Sequence, residues 1–473
     1  MMSSRLPENQ ERVDRGYYLL TLGCPKNEVD SDLIVQRLAE AGWNREMDPR
    51  AASAIVVNTC SFIAPALEES IEEVLDLSGL KEETGAVLVV AGCMVARYGA
   101  KKLAGLLPEV DAFLPCEAHE DLVAVLEGFV QGEAAGRRGI RGSGHGGAGR
   151  ARVASPRQEI SRHGLGRTVS GTLGRGFVYV KIAEGCSRRC AFCAIPSIRG
   201  PLRSRGIEDI EEEVRYFAGK GAREVVLIAQ DTTQYGLDIY GKPRLRELVE
   251  RLSNLEGEFR MRVMYMHPEG LSDDILEAMR SPRVCNYLDL PFQHVDARVL
   301  RSMGRHGDGK SHLRLLERAR EYLGEVAVRA TFMVGFPGEE REAYDKMRRF
   351  IEEAGFDWLA LFGYSHEEGT PAFLMQPTVR KGVIRSRMEE LCEIQDEIMR
   401  EIASEQVGRD FDVLVEGRSM EAPGFWEARS WREAPEIDGV VFIRDSPVLK
   451  PGACLRVSIV STEGIDLHGE VGE

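Results

Sequence analysis

Short apolar runs alternate along the chain with longer stretches in which apolar residues recur at helical spacing. Residues 17–22 form the first run, and Val29, Leu33, Ile34 and Leu38 then mark one face of a helix. Residues 54–57 form a second run, followed by a helix with Leu67, Ile71, Val74 and Leu75 on one side, and residues 87–90 a third. Strands separated by helices predict a parallel sheet. From residue 177 the alternation resumes, with strands expected at 177–183, 224–229, 261–266, 287–290, 328–334 and 358–362. Six such units suit an open (β/α)6 partial TIM barrel with its site over the strand carboxyl ends. A long helix near 385–405 closes that domain. The pattern then changes to short strands at 413–415, 440–443 and 455–459 with Gly and Pro between them, which predicts a small antiparallel β-barrel. The fold class is therefore α/β, in three parts: an N-terminal parallel α/β domain (1–130), the partial barrel (177–407) and the small barrel (408–473).

Residues 131–176 break the pattern. They are rich in Gly and carry nine Arg against two Glu, with too little apolar surface to offset chain ordering. They read as a flexible Gly/Arg-rich linker. Across the whole chain the net charge is −15, which suits a basic partner better than unaided binding to nucleic acid. Residues 408–473 alone hold seven Lys or Arg against thirteen Asp or Glu, a balance of −6, where an RNA-binding barrel needs a basic groove. Trp426 and Trp431 in this segment either anchor a partner or pack the barrel. No apolar run is long enough to span a bilayer, and the first ten residues lack a signal peptide's apolar segment. Ten cysteines in such a chain point to a reducing, cytoplasmic setting, where clustered Cys means metal or catalysis.

Two sets of cysteines stand out. Cys186, Cys190 and Cys193 form a Cys-x3-Cys-x2-Cys run just after the apolar strand at 177–183. Three thiolates at this spacing suit one cubic iron–sulfur cluster with its fourth iron left to another ligand. Zinc, which prefers four ligands in a structural site, and plain core cysteines are the other readings of the spacing. Cys24, Cys60 and Cys93 are distant in sequence, yet each lies just past a predicted parallel strand, so all three should converge at one sheet edge. Glycine precedes Cys24 and Cys93, and small Ser61 follows Cys60, which allows close backbone approach. The alternative is three buried structural thiols. Cys116, Cys285, Cys392 and Cys454 stand alone and read as structural.

The Cys-x3-Cys-x2-Cys run after a strand resembles the radical S-adenosylmethionine (SAM) superfamily. The longer stretch Glu184-Gly185-Cys186, Ile195-Pro196-Ser197-Ile198-Arg199-Gly200 and Ser204-Arg205 is similar to its methylthiotransferases. The resemblance covers nearly the whole chain and implies two [4Fe-4S] clusters, one on Cys186, Cys190 and Cys193 and an auxiliary one on Cys24, Cys60 and Cys93. It also implies SAM as methyl donor and radical source, and a C-terminal TRAM barrel. By the same resemblance the strand-end loops contact SAM. Gln230, His267, Gln293 and Arg329 are assigned to it, with Phe192 near the adenine.

Within the family, Gly23-Cys24-Pro25-Lys26-Asn27, Asn58-Thr59-Cys60-Ser61-Phe62-Ile63 and Ala434-Pro435-Glu436-Ile437-Asp438-Gly439 resemble the branch that modifies the β-carbon of an aspartate in a small-subunit ribosomal protein. Phe292 departs from that branch's usual Leu. The implied partners are that basic ribosomal protein and an electron donor such as flavodoxin or ferredoxin, with RNA contact secondary and no membrane. The alternatives are the branch that modifies an adenosine in transfer RNA and a non-catalytic iron–sulfur protein bound to a ribosome partner.

Overall fold

The computed structural model describes residues 15–116, 121–130, 169 and 171–472. The N-terminal segment read for a signal, and the linker except for residues 169 and 171–176, lie outside them. The chain divides into two compact units, Met1–Arg157 and Gln158–Glu473.

The first unit is built on β1 (Gly16–Thr21), β2 (Asn44–Arg45), β3 (Ala54–Thr59), β4 (Val87–Gly92) and β5 (Ala112–Pro115), in the order β2-β1-β3-β4-β5 with every neighbouring pair parallel. Side chains alternate across the sheet. Ala54 and Val56 join Tyr17, Leu19 and Val89 in one core, while Ile55 and Val57 join Leu88, Val90 and Phe113 in another. Helices cover both faces, so β3 is buried along its whole length and reads as a continuous apolar run.

The second unit opens with β6 (Phe177–Lys181), the antiparallel pair β7 (Ala183–Glu184) and β8 (Arg203–Ser204), and continues with β9 (Glu224–Ile228) and β10 (Arg260–Val263). Then come β11 (Tyr287–Gln293), β12 (Ala327–Val334) and β13 (Trp358–Gly363). Two parallel sheets, β10-β9-β6 and β11-β12-β13, meet through a Met261–Val284 bridge and a 3.0 Å bond from the Met266 N–H to the Asp289 carbonyl. The six strands thus follow one another in chain order as an open wall. Helices pack its outer face by their apolar stripes. In Arg341–Ala354 these residues are Ala343, Tyr344, Met347, Phe350, Ile351 and Ala354. Phe292 fits an aromatic cluster, its ring 5.9–6.0 Å from Phe332, Phe350 and Phe356, which gives the larger side chain its place.

β14 (Asp410–Arg418), β15 (Phe425–Arg429), β16 (Val441–Arg444), β17 (Cys454–Glu463) and β18 (Asp466–Val471) close into a barrel in the order β14-β15-β16-β18-β17. Its pairs are antiparallel except β16–β18, which is parallel. Trp426 is a core residue of this barrel, with its indole N–H donating to Asp445 at 2.8 Å, and Trp431 packs partly against the same core. Trp426 is thus buried rather than offered to a partner.

Charge joins this barrel to the amino ends of the partial-barrel strands. Glu224, the first residue of β9, is fully buried and is met by Arg262 at 2.8 Å, Arg260 at 2.7 Å and, from β15, Arg429 at 3.2 Å. Arg429 also pairs with Glu416, and Arg432 with Asp357 at 2.5 Å. Residues 171–176, counted in the linker from sequence, belong to the fold: Leu173–Arg175 forms a short turn, and Arg175 pairs with Glu416 and with Glu436 at 2.9 Å. No described helix is long and apolar enough to cross a membrane.

Burial alone would push the Glu224 carboxyl up, but the guanidinium groups of Arg262, Arg429 and Arg260 hold it well below the ordinary carboxylate range. Its stabilisation is therefore complete above the unfolded value of about 4.3 and is lost as pH falls through the folded one. Glu224→Ala, which leaves three guanidinium groups facing one another, is expected to cost about 3–5 kcal/mol at neutral pH and to flatten the acid limb of stability. Denaturant unfolding between pH 3 and 7 measures both.

Candidate metal centres

In the first unit every strand ends at the same edge, and a cysteine lies just past four of them. Cys24 caps the helix Pro25–Glu40, with Pro25 in its first turn, where a missing N–H costs nothing. Gly23 has φ +100°, and a Cβ there would stand 2.9 Å from Cys60 Sγ. Gly92 has φ +97°, and a Cβ there would stand 2.4 Å from Asn58 Oδ1. Both positions therefore require glycine. Asn27, fully buried, donates to the Leu22 carbonyl at 2.7 Å and to the Thr59 carbonyl at 3.1 Å, while Thr59 Oγ1 donates to the Ala91 carbonyl at 2.6 Å. These bonds lock the ends of β1, β3 and β4 together. Cys93 Sγ lies 3.7 Å from Asn27 Oδ1. Burial pushes the Cys60 thiol up to about 11, and the nearness of Cys93 and Cys24 adds to the shift. The structure thus brings Cys24, Cys60 and Cys93 together.

Cys116 corrects the sequence reading. It follows β5, a four-residue strand that ends in proline, and its Sγ lies 3.9 Å from Cys93 Sγ. It shares the position of the other three. The signal was the short apolar stretch Ala112-Phe113-Leu114 before it, too brief to register as a strand.

In the second unit the Cys186–Cys193 loop is strapped down by backbone bonds: Cys186 N–H to the Gly200 carbonyl at 3.1 Å, Ala191 N–H to Met303 at 2.8 Å, and Ala372 N–H to Ala191 at 2.8 Å. Gly185 has φ +73°, and a Cβ there would lie 2.2 Å from the Pro201 carbonyl oxygen. The three cysteines are half-buried, and burial, with Cys190 and Cys186 beside it, pushes Cys193 up to about 12. Among the described residues no three His, Cys, Asp or Glu side chains converge as ligands of a single metal ion. Three soft thiols in each set are the donor chemistry by which iron–sulfur clusters are held.

Around this loop, Gln230, His267 and Gln293 lie at the carboxyl ends of β9, β10 and β11. Gln230 Nε2 donates to Glu184 at 2.6 Å, and its Oε1 is buried without a partner. Burial would raise the Glu184 carboxyl, but Lys181 at 2.6 Å and Arg199 at 3.3 Å hold it well below its ordinary range. Burial, with Arg305 and Arg188 nearby, drops His267 to about 2, so its ring is neutral. Its Nδ1 accepts from the Glu269 N–H at 3.3 Å, which leaves the proton on Nε2, buried and unpartnered. Gln293 sits at a register shift with φ +68°. Phe192 meets Phe336 edge-on at 6.5 Å, with the Arg305 guanidinium 5.6 Å from its ring centre.

Arg329 is a correction. It is the third residue of β12, near the amino end, and its guanidinium pairs with Asp438 at 2.5 Å, where Tyr287 also donates at 2.7 Å. It joins the two barrels and lies away from the strand carboxyl ends. Sequence reasoning assigned no role to Glu184, or to Arg188, which bonds Asp231 at 2.8 Å and ties the cysteine loop to the end of β9.

Residues 180–351 match the model of the Radical SAM superfamily, residues 16–115 that of the Uncharacterized protein family UPF0004, and residues 407–471 that of the TRAM domain. The chain is 37% identical over 455 residues to the ribosomal protein uS12 methylthiotransferase RimO of Carboxydothermus hydrogenoformans, covering 96% of this chain and 99% of the relative. It is 38% identical over 451 residues to the enzyme of the same name from Thermotoga maritima, covering 95% and 98%. Among solved structures it resembles the radical SAM methyltransferase TsrM from Kitasatospora setae with cobalamin and a [4Fe-4S] cluster bound (TM-score 0.54, 15% identity, 93% of this chain and 84% of that one). It also resembles the cobalamin-dependent SAM radical enzyme OxsB (TM-score 0.52, 12% identity, 81% and 62%). At such identities these likenesses concern the fold alone.

If Arg329 only joins the barrels, Arg329→Gln should lower stability by about 3 kcal/mol, because buried Asp438 loses its cation. The affinity of the folded protein for SAM, measured by equilibrium dialysis, should not change. A loss of affinity without a loss of stability would return Arg329 to the ligand site.

Proposed function

The chain belongs to the RimO family of radical SAM methylthiotransferases, and on that premise we propose that it adds a methylthio group to the β-carbon of an aspartate in ribosomal protein uS12. The observation that carries this reading is the pair of thiol sets, one per unit, in a chain that aligns with such enzymes over 96% of its length. When bound, the clusters and SAM supply the reducing electron, the radical and the transferred sulfur, which are chemistry no side chain can provide.

The protein's own part is to hold and orient. Cys186, Cys190 and Cys193 would hold the cluster that meets SAM, and Cys24, Cys60 and Cys93 the auxiliary one. The unpartnered His267 Nε2–H is a buried donor suited to an oxygen of SAM, and Gln230 Oε1 is a buried acceptor suited to its amine or a ribose hydroxyl. Lys181 and Arg199 neutralise Glu184, so Gln230 is fixed by a charged acceptor without a net negative charge beside a cationic ligand. Phe192 offers an aromatic edge to the adenine, and Gln293 a polar group at the next strand end. Neither neutral His267 nor ionised Glu184 transfers a proton in this scheme, and hydrogen-atom abstraction requires no such transfer.

The acidic balance of residues 408–473 favours a basic protein substrate by charge complementarity, with RNA contact secondary. A flavodoxin or ferredoxin is the class of electron donor such a cluster needs, and the reduced thiols suit the cytoplasm.

In anaerobically reconstituted protein, Cys186→Ala should abolish 5′-deoxyadenosine formation. Cys24→Ala should leave that cleavage intact and abolish methylthio transfer. Mass spectrometry of uS12 and of transfer RNA from a deletion strain identifies the substrate, and loss of the modification from transfer RNA alone would overturn the proposal. Gln230→Leu should weaken SAM binding about tenfold or more with iron content unchanged; unchanged binding removes Gln230 from the site.

A further inference from the structure

The thiol set at the sheet edge of the first unit has a fourth member. β4 and β5 are parallel and in register, with Gly92 opposite Pro115. The next residue on each strand is a cysteine, and this register is what brings the sulfurs of Cys93 and Cys116 to 3.9 Å. Cys116 is 9% exposed and forms no disulfide. Its position repeats that of Cys24, Cys60 and Cys93 on β1, β3 and β4, so four neighbouring strands deliver one thiol each to one edge. Cys285, Cys392 and Cys454 have no such company.

A cubane carries four irons, and three protein thiolates leave one of them to an outside ligand. Iron in such a cluster favours soft thiolates. Cys116 Sγ, 3.9 Å from the sulfur of one proposed ligand, stands next to the set that would hold the cluster. From this juxtaposition, and resting on the assignment of the auxiliary cluster above, we propose that Cys116 is a fourth, exchangeable ligand of that cluster. Its thiolate holds the remaining iron in the resting protein and gives way to the incoming sulfur species, a hydrosulfide or a small thiol.

In the exchange, the incoming sulfur forms a new bond to iron and the bond from iron to Cys116 Sγ breaks. The proton lost by the incoming thiol passes to the released Cys116 thiolate. No electron is gained or lost, so no oxidant or reductant is needed. The device protects an iron that would otherwise meet water or chelators, and it makes loading of the transferable sulfur a competition.

The test uses the full chain with Cys186→Ala, Cys190→Ala and Cys193→Ala, reconstituted anaerobically with iron-57, so that only the auxiliary cluster reports. Mössbauer spectra are expected to show four thiolate-ligated irons with Cys116 present and one distinct iron in Cys116→Ala, with Cys116→Ser giving an oxygen-ligated iron. Titration with sodium methanethiolate, followed by electron paramagnetic resonance of the reduced cluster, should reach its midpoint at about tenfold lower concentration in Cys116→Ala. Identical spectra and identical midpoints would overturn the role of Cys116 and leave the auxiliary cluster standing. If adding Cys24→Ala, Cys60→Ala and Cys93→Ala leaves the iron content unchanged, the auxiliary-cluster assignment itself fails.

Discussion

Parallel strand pairing is the constraint on which the candidate chemistry of this chain depends. When all strands of a sheet run one way, their carboxyl ends share an edge, and residues far apart in sequence meet there. In the first unit this edge gathers thiols from positions 24, 60, 93 and 116, separated by more than twenty residues each. The edge also needs backbone close to sulfur, and this explains Gly23 and Gly92: both have positive φ and no room for a Cβ. Asn27 and Thr59 complete the arrangement by satisfying carbonyls of neighbouring strand ends that the ladder leaves open.

The second unit uses its two strand edges differently. At the amino ends lies a network of buried ion pairs, Glu224 with three arginines, Arg329 with Asp438 and Arg432 with Asp357. Buried pairs of this kind add little net stability over apolar packing, yet breaking one is costly. Their effect is to fix how the small barrel meets the partial barrel. Unpartnered buried atoms occur at both edges, on Arg429 in this network and on Gln230 and His267 at the carboxyl ends. An orphaned polar atom costs about 1–3 kcal/mol and calls for a reason. Under the proposed function a bound ligand would complete both carboxyl-end atoms.

Much of this was legible in the sequence. Buried parallel strands are continuous apolar runs, so all six wall strands were found, and a Cys-x3-Cys-x2-Cys run carries its spacing openly. The misses share a physical cause. Arg329 and Cys116 were misplaced because a residue's position along its strand, third in β12 or just past β5, decides which edge it lies at, and apolar patterning leaves strand ends uncertain by a few residues. Trp426 was ambiguous because an indole suits a core and an interface equally until its N–H partner, here Asp445, is known. The parallel β16–β18 pair was hidden because strand direction in a closed barrel follows from the order of pairing, which no local pattern encodes.

Backbone strain at residues other than glycine falls, among the described residues, in the second unit. Among the described residues, three that are not glycine have positive φ: Tyr265, Gln293 and Glu436. Each such conformation costs about 1–3 kcal/mol and persists only where the surroundings over-determine it. Glu436 is held at the amino-end network by Arg175 and by the Tyr179 hydroxyl, both at 2.9 Å, so structure alone explains it. Tyr265 lies two residues past β10 and Gln293 is the last residue of β11, at the opposite edge, which also carries the neutral His267. Tyr265 is held by a 2.9 Å bond from its N–H to the Asp289 carboxylate. Two strained residues on neighbouring strand ends set the carboxyl edge of β10 and β11 apart from the rest of the wall, at the same edge as His267 and Gln230.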